Sequence, residues 1–349
     1  MTIVADTHDF VVGVDTHARS HTFAVIDTHS GAVRRTESFP NTPAGMRRGL
    51  TWINHHGGDD ALVVVEGIGS YGAGIARLVA DGGHRVVETL PIPAVLRRGK
   101  GKTDQIDAAL IGRSIIGVDD TRLRQPRADL GLREASRILV GARTQMNRER
   151  TKTINTLTAL VRTIDLDIDA RAALTKTQIK TIAAWRTRHE PLAQTIARAE
   201  AVRLATRIIE LETQLAANRT QLDTLIVDSP VVSLLNQTGI ATITAAAIYV
   251  AWSHPKRIHS EAAWAALAGV APIPASSGNT TRHRLNHGGD RHLNQALTTI
   301  VLTRLRHDPQ TRAYHTRRLA QGLSTKEIMR ILKRYIARQI YRELAHTTN

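Results

Sequence analysis

Apolar residues in the first ninety positions fall into short runs of strand length, while between residues 133 and 226 they recur at helical spacing. Phe10-Val11-Val12-Gly13-Val14-Asp15 is a continuous apolar run ending in an aspartate. His21 to Asp27 alternates, and Ala32 to Phe39 is a third predicted strand, with Gly31 in the tight turn before it. Pro43 suits the first position of a helix reaching about His55, in which Met46, Leu50 and Ile53 have helical spacing. Ala61 to Glu66 is a fourth strand, apolar up to its terminal carboxylate. Ile75 to Ala80 falls in the next helix, and Arg85 to Leu90 is a fifth strand. A further helix starts within Lys102-Thr103-Asp104-Gln105-Ile106-Asp107-Ala108.

This order is three strands, helix, strand, helix, strand, helix. Continuous apolar strands of this kind suit a buried sheet with helices on its faces, and the order is that of an RNase H-like α/β fold. It brings four carboxylates into question. Asp15 lies on the first strand, Glu66 ends the fourth, and Asp104 and Asp107 share a helix face at i and i+3. Read alone, the helix pair is equally an acidic first turn complementing the helix dipole, with Thr103 or Asp104 as N-cap. Either strand-end carboxylate alone is structurally innocent. All four meeting at one sheet edge favours a metal site, because a buried aspartate is costly unless paired or ligating metal. An all-oxygen set suits Mg2+, and two such ions clamp a phosphodiester. The basic residues Arg97, Arg98, Lys100 and Lys102 just upstream are expected to meet phosphates. His17 and His21 read as solvent-facing or phosphate-contacting, since sixteen histidines spread along the chain make any one a weak ligand.

From about Arg133 to Ile226 the pattern is helical. Arg133 to Ile164 reads as one basic amphipathic helix, broken at Asp165-Leu166-Asp167-Ile168-Asp169. After Pro191, the residues Leu204, Ile208, Leu211, Leu215, Asn218, Leu222 and Leu225 form a heptad seam with one polar position. The seam serves either self-association or an intramolecular hairpin with the first long helix. The segment Leu234 to Ala246 resembles a helix-hairpin-helix, in which a turn at Gly239 would offer backbone N–H groups to a phosphate. Ala241 stands where that motif has a second glycine, and an ordinary helix–turn–helix fits too.

Glu261 to Leu267 is a predicted helix running into a turn with two prolines, Ser276-Ser277-Gly278, then Arg282, Arg284 and Gly288-Gly289-Asp290-Arg291. A serine shown beside arginines could attack a phosphate, although Ser-Ser-Gly is also an ordinary loop. Between Asn279 and Leu344 fourteen Lys or Arg face four Asp or Glu, and Leu323 to Leu344 reads as a basic amphipathic helix.

Charge sharpens the picture. The net charge of +16 implies a polyanionic partner, nucleic acid or an anionic membrane surface. No lipidation signal, leader pattern or run of about 18 apolar residues supports a membrane. Aromatics are only 3%, which argues against base-stacking platforms and for Arg and Lys contacts to phosphate. The absence of cysteine excludes disulfides and thiolate zinc sites and fits a reducing cytoplasm.

Taken together, the chain resembles the transposases of the insertion sequence one-ten family, relatives of pilin-gene-inverting recombinases. The N-terminal likeness rests on Val12-Gly13-Val14-Asp15, on Val64-Val65-Glu66-Gly67 with Ser70-Tyr71-Gly72, and on Lys102 to Ala108. The C-terminal likeness rests on Ala265 to Pro272, Ser277-Gly278 and Gly288 to Asn294. Thr16-His17 follows Asp15 where a small residue and then lysine are usual, a departure expected to touch no catalytic group. The resemblance implies three domains: residues 1–130 as a Holliday-resolvase-like catalytic domain, 131–228 as a coiled-coil arm, and 229–349 as a largely helical domain with a nucleophilic serine. It implies that Asp15, Glu66, Asp104 and Asp107 bind Mg2+ and that Ser277, or its neighbour Ser276, forms a covalent phosphoserine. It further implies donor and target DNA as substrates, a structured noncoding guide RNA, a homo-oligomer (dimer or tetramer), and residence in the cytoplasm at the nucleoid. Arg282, Arg284 and Arg291 are candidates to neutralise the phosphate. A metal-dependent nuclease with water as nucleophile, or a non-catalytic nucleic-acid-binding protein, are the rival readings.

Overall fold

The computed structural model of the chain describes residues 2–346 except 59, 93–100, 102, 128–130, 255–256, 276–282, 285 and 287. It divides into two compact units, Met1–Arg127 and Ala128–Asn349.

The first unit runs α1 (Val4–Thr7), β1 (Phe10–Thr16), β2 (Ser20–Asp27), β3 (Val33–Pro40), α2 (Pro43–Gly57), β4 (Leu62–Val65), α3 (Ala73–Asp81), β5 (Val86–Glu88) and α4 (Asp104–Arg113). Apart from α1, this is the predicted order. The sheet order is β3-β2-β1-β4-β5, with β1–β2 and β2–β3 antiparallel and β1–β4 and β4–β5 parallel.

Successive side chains of a strand point to opposite faces, so alternate positions of β1 serve different layers. Val12 and Val14 join Phe23, Val25, Val63 and Val65 in a core closed by Ile53 of α2 and by Ile75 and Val79 of α3. Val11 joins Leu62, Val64 and Val87 on the other face, against Ile111 of α4. Burial on both faces explains the nearly continuous apolar runs of β1 and β4. At Gly13 the helix α4 comes closer than any side chain would permit. A Cβ there would overlap the Ala108 carbonyl oxygen and lie 2.5 Å from the Gly112 nitrogen.

The second unit is mainly helical: α5 (Leu132–Thr163), α6 (Lys176–Ala183), α7 (Leu192–Val227), α8 (Thr242–Trp252), α9 (Glu261–Leu267), α10 (Arg291–His307), α11 (Pro309–Ala320) and α12 (Thr325–His346), with a hairpin of β6 (Ile273–Pro274) and β7 (His283–Arg284). The heptad seam of α7 is buried at Leu204, Ile208, Leu211, Leu215, Asn218 and Leu222. At its end Ile226 is buried and Leu225 only half so, the drift expected when a helix of 3.6 residues per turn carries a 3.5-residue repeat. The partner is α5 of the same chain. Asn218 Nδ2 donates to the Leu139 carbonyl at 3.0 Å, and Arg143 Nη1 to the Leu215 carbonyl at 3.0 Å. Arg150 with Glu212, and Arg207 with Glu149, close the edges at 2.7 Å. The intramolecular alternative is therefore the observed use of the seam.

A core of Trp252, Trp264, Leu297, Ile300, Ile336 and Ile340 binds α8, α9, α10 and α12. Where a helix-hairpin-helix was one expectation, a 3-10 stretch (Val232–Asn236) precedes the turn. Gly239 takes φ 87° in that turn and packs 3.0 Å, as a Cβ would measure it, from the Ile300 carbonyl oxygen. Among the described residues no helix is long and apolar enough to cross a membrane.

Candidate active site

The alternation that builds the sheet also aims its carboxylates. Asp15 has the parity of Val11 and Gly13, and Glu66 that of Leu62 and Val64, so both belong to the face that α4 covers. The parallel register of β1 and β4 ends with Val14 beside Val65, which makes Asp15 and Glu66 the next couple; Glu66 N–H donates to the Val14 carbonyl at 3.1 Å. Thr16 Oγ1 donates to the Glu66 carbonyl at 2.9 Å and ties down the strand end. The chain turns away through Gly67, at φ 64°, and Gly72, whose Cβ would stand 2.5 Å from the same Glu66 carbonyl oxygen.

Helix α4 starts at this edge. Thr103 is its N-cap, accepting from Ile106 N–H at 3.3 Å, which leaves Asp104 and Asp107 in the first turn. An aspartate that caps would spend its oxygens on backbone N–H groups; here the threonine does so.

Asp15 is 4% exposed. Burial pushes its carboxyl above the usual range; the His17 ring pulls it back, and the negative charges of Glu66 and Asp107 push it further up. Glu66 and Asp107 thus both act on the Asp15 carboxylate. The fourth carboxylate, Asp104, joins through His17. Its Nε2 lies 3.1 Å from Asp15 Oδ2 and 3.7 Å from Asp104 Oδ1, and ligand atoms of Asp15, His17 and Asp104 all fall within 4.8 Å of one another. The donor set is carboxylate-rich and electrostatically unbalanced, which fits a hard divalent cation.

Two expectations need correction here. His17 does touch the proposed catalytic groups, so the departure at positions 16 and 17 falls inside the site. Its signal was closeness in sequence: it stands two positions after Asp15, just past the end of β1, in the turn before β2. His21 is not solvent-facing but 1% exposed. It pairs with Thr16 across β1–β2 and has the parity of Phe23, which turns it to the face of α2 and α3, away from the carboxylates. Burial holds its ring below the usual histidine range.

The remaining predicted residues belong to the second unit or lie outside the described residues. Arg284 is exposed on β7, opposite Ile273. Arg291 is exposed in the first turn of α10, whose N-cap Asp290 accepts from His292 and Leu293 N–H at 2.8 and 3.0 Å. Strands β6 and β7 hold the two ends of the segment carrying the serines. Ser276, Ser277, Arg282, Arg97, Arg98, Lys100 and Lys102 lie outside the described residues.

Comparison with known families finds two matching segments, the first of which runs past Arg127 through α5. Residues 12–165 match a transposase model, DEDD_Tnp_IS110, and residues 233–316 match one described as Transposase IS116/IS110/IS902 family. The two together span about two thirds of the chain. No curated protein matches it.

Proposed function

The chain belongs to the IS110 family of transposases, and from that premise we propose that its acidic edge and a serine of the second unit together cut and rejoin DNA. The enzyme is a DNA transposase of a type that uses divalent metal. The observation that carries the finer reading is the gathering of Asp15, Glu66 and Asp107 with the His17–Asp104 pair around one buried carboxylate.

The sheet order β3-β2-β1-β4-β5 with a first-strand aspartate supports assigning the first unit to the RNase H-like class. Asp15, Glu66, Asp104 and Asp107 would hold Mg2+, which when bound supplies Lewis-acid polarisation of a phosphodiester. The chain's own groups do the rest. The buried Asp15 anchors the set, and its resistance to carrying charge unaided favours a cation over solvent. Gly13 lets α4 approach closely enough for the helix carboxylates to reach the strand carboxylates. Ser277 is the proposed nucleophile. Its oxygen would bond to phosphorus as a sugar oxygen leaves, exchanging one ester for another and keeping the energy for rejoining. Arg282, Arg284 and Arg291 would neutralise the phosphate, and Arg97, Arg98, Lys100 and Lys102 would contact strand phosphates. A guide RNA fits the large positive charge. Self-association into a dimer or tetramer would use a surface other than the α7 seam, which α5 fills.

One observation favours a second reading. The carboxylate set lies wholly within the first unit, so a nuclease with water as nucleophile needs no serine. The two readings part on one experiment. Protein, RNA transcribed from DNA flanking the gene, Mg2+ and labelled donor and target DNA are run on denaturing gels with and without protease. A slow, protease-sensitive DNA adduct made by wild type and lost in Ser277→Ala supports the serine. Equal cleavage by both proteins without an adduct supports the nuclease.

A further inference from the structure

The second unit contains a pocket of about 590 Å3 between the 269–272 turn, β7 and α12. Its polar wall is Arg284, Asn286, Asn294, Arg330, Lys333 and Arg334, and among the described residues no carboxylate lines it. Arg334 is committed to Glu261, which it shares with Arg338. Among the described residues Arg284, Arg330 and Lys333 form no ion pair. Lys333 is half-buried, and its ammonium donates to Asn294 Oδ1 at 3.1 Å. Asn294 is held in that orientation because its Nδ2 donates to the Ala268 carbonyl at 2.7 Å.

The wall has no slack. A Cβ on Gly269 would lie 3.1 Å from the Gly288 carbonyl oxygen and 3.2 Å from Asn294 Nδ2, and one on Gly289 would overlap the Leu267 carbonyl oxygen. The glycine turn at 288–289 thus presses the start of α10 against the end of α9 and fixes Asn294 at the pocket. Burial and the neighbouring Arg330 push Lys333 below the usual lysine range. A half-buried ammonium beside the Arg330 guanidinium, with no ion pair of its own among the described residues, is an electrostatic cost that an anion would relieve. Arginines at the rim suit the oxygens of a phosphate, and the lysine offers a point charge at depth. Pro272, Ile331 and Tyr335 supply an apolar side against which a sugar can rest.

We propose that this pocket seats a backbone phosphodiester of the bound nucleic acid, with Lys333 as its innermost cation and Asn294 as the residue that aims it. The proposal rests on the reading that the protein handles DNA with a guide RNA, and it deepens that reading by naming a phosphate site beside strand β7.

The test is equilibrium binding of short labelled single strands, DNA in one arm and RNA in the other, to the full chain in chelator across a salt series. Each lost phosphate contact to a single strand makes the slope of log affinity against log salt shallower by about 0.7. Lys333→Gln, which still reaches Asn294, is expected to lower affinity and flatten the slope by that amount. Lys333→Arg keeps the slope, and Lys326→Gln, exposed near the start of the same helix, behaves as wild type. Loss with DNA only assigns the phosphate to a DNA strand, and loss with RNA only to the guide. Wild-type slopes and affinities for Lys333→Gln on both strands overturn the proposal. Pyridoxal 5′-phosphate with borohydride gives a readout on unmutated protein. Lys333 is expected to be labelled ahead of exposed lysines and protected by the bound strand; labelling that the strand does not protect also overturns it. Neither assay needs metal or the serine, so failure here is distinct from failure to form the covalent adduct.

Discussion

His17 Nε2 stands 3.1 Å from Asp15 Oδ2 and 3.7 Å from Asp104 Oδ1, so one imidazole links a strand carboxylate to a helix carboxylate. In the metal-free protein it offsets part of the repulsion that gathers around Asp15. The ring is half exposed, so the contribution is modest, about 0.5 kcal/mol. His17→Ala is expected to melt below wild type in chelator, and the gap should close as Mg2+ is added and the cation takes over the charge balance. Melting curves across a Mg2+ titration check this. A gap that widens with Mg2+ would make the imidazole itself a ligand.

Gly13 and Gly112 set how near α4 comes to β1. Gly13→Ala drives its Cβ into backbone, the Ala108 carbonyl, which cannot step aside singly. The expected cost is at or above the upper end of the roughly 1–3 kcal/mol typical of overpacking. Asp104 and Asp107 ride on the same helix, so DNA joining should fall further than stability alone explains. Gly112→Ala meets mainly the tip of Ile26 and should cost less. Urea unfolding of the two variants, compared with joining assays at matched folded fraction, tests the ordering.

Asn218 occupies the polar position of a seam that α5 already fills. Asn218→Leu is expected to leave the molecular mass in solution unchanged, because the residue faces its own chain. Light scattering on both proteins decides this; a changed oligomer number would return the seam to an intermolecular role.

Much of the first unit was legible because period and position agree there. Asp15 and Glu66 each end an apolar run, and Asp104 and Asp107 follow a capping threonine, so their placement at strand ends and helix start could be read from the sequence. His17 was hidden by number, since a histidine among sixteen carries little signal, and it sits in the turn after β1, where strand parity does not apply. His21 was misread as solvent-facing because the alternation of β2 does not reveal that both its faces are covered. The α7 heptads announced a partner, but a heptad cannot tell its own chain from another. Strands β6 and β7, two residues each, are too short for any period. The pocket at Lys333 joins segments about 60 residues apart, and no local pattern announces it.

The most direct test of the central claim is Mn2+ binding to metal-free wild type and Asp15→Asn by calorimetry, with melting of both in chelator. Burial and like charges already work against the Asp15 carboxylate, so the asparagine variant should fold at least as stably as wild type. The account predicts that it does so while losing Mn2+ binding, and that DNA joining drops by at least about 10³-fold, the scale of several kcal/mol of metal-borne stabilisation. An Asp15→Asn protein that binds Mn2+ with unchanged affinity and stoichiometry would contradict the assignment of this carboxylate cluster as the metal centre.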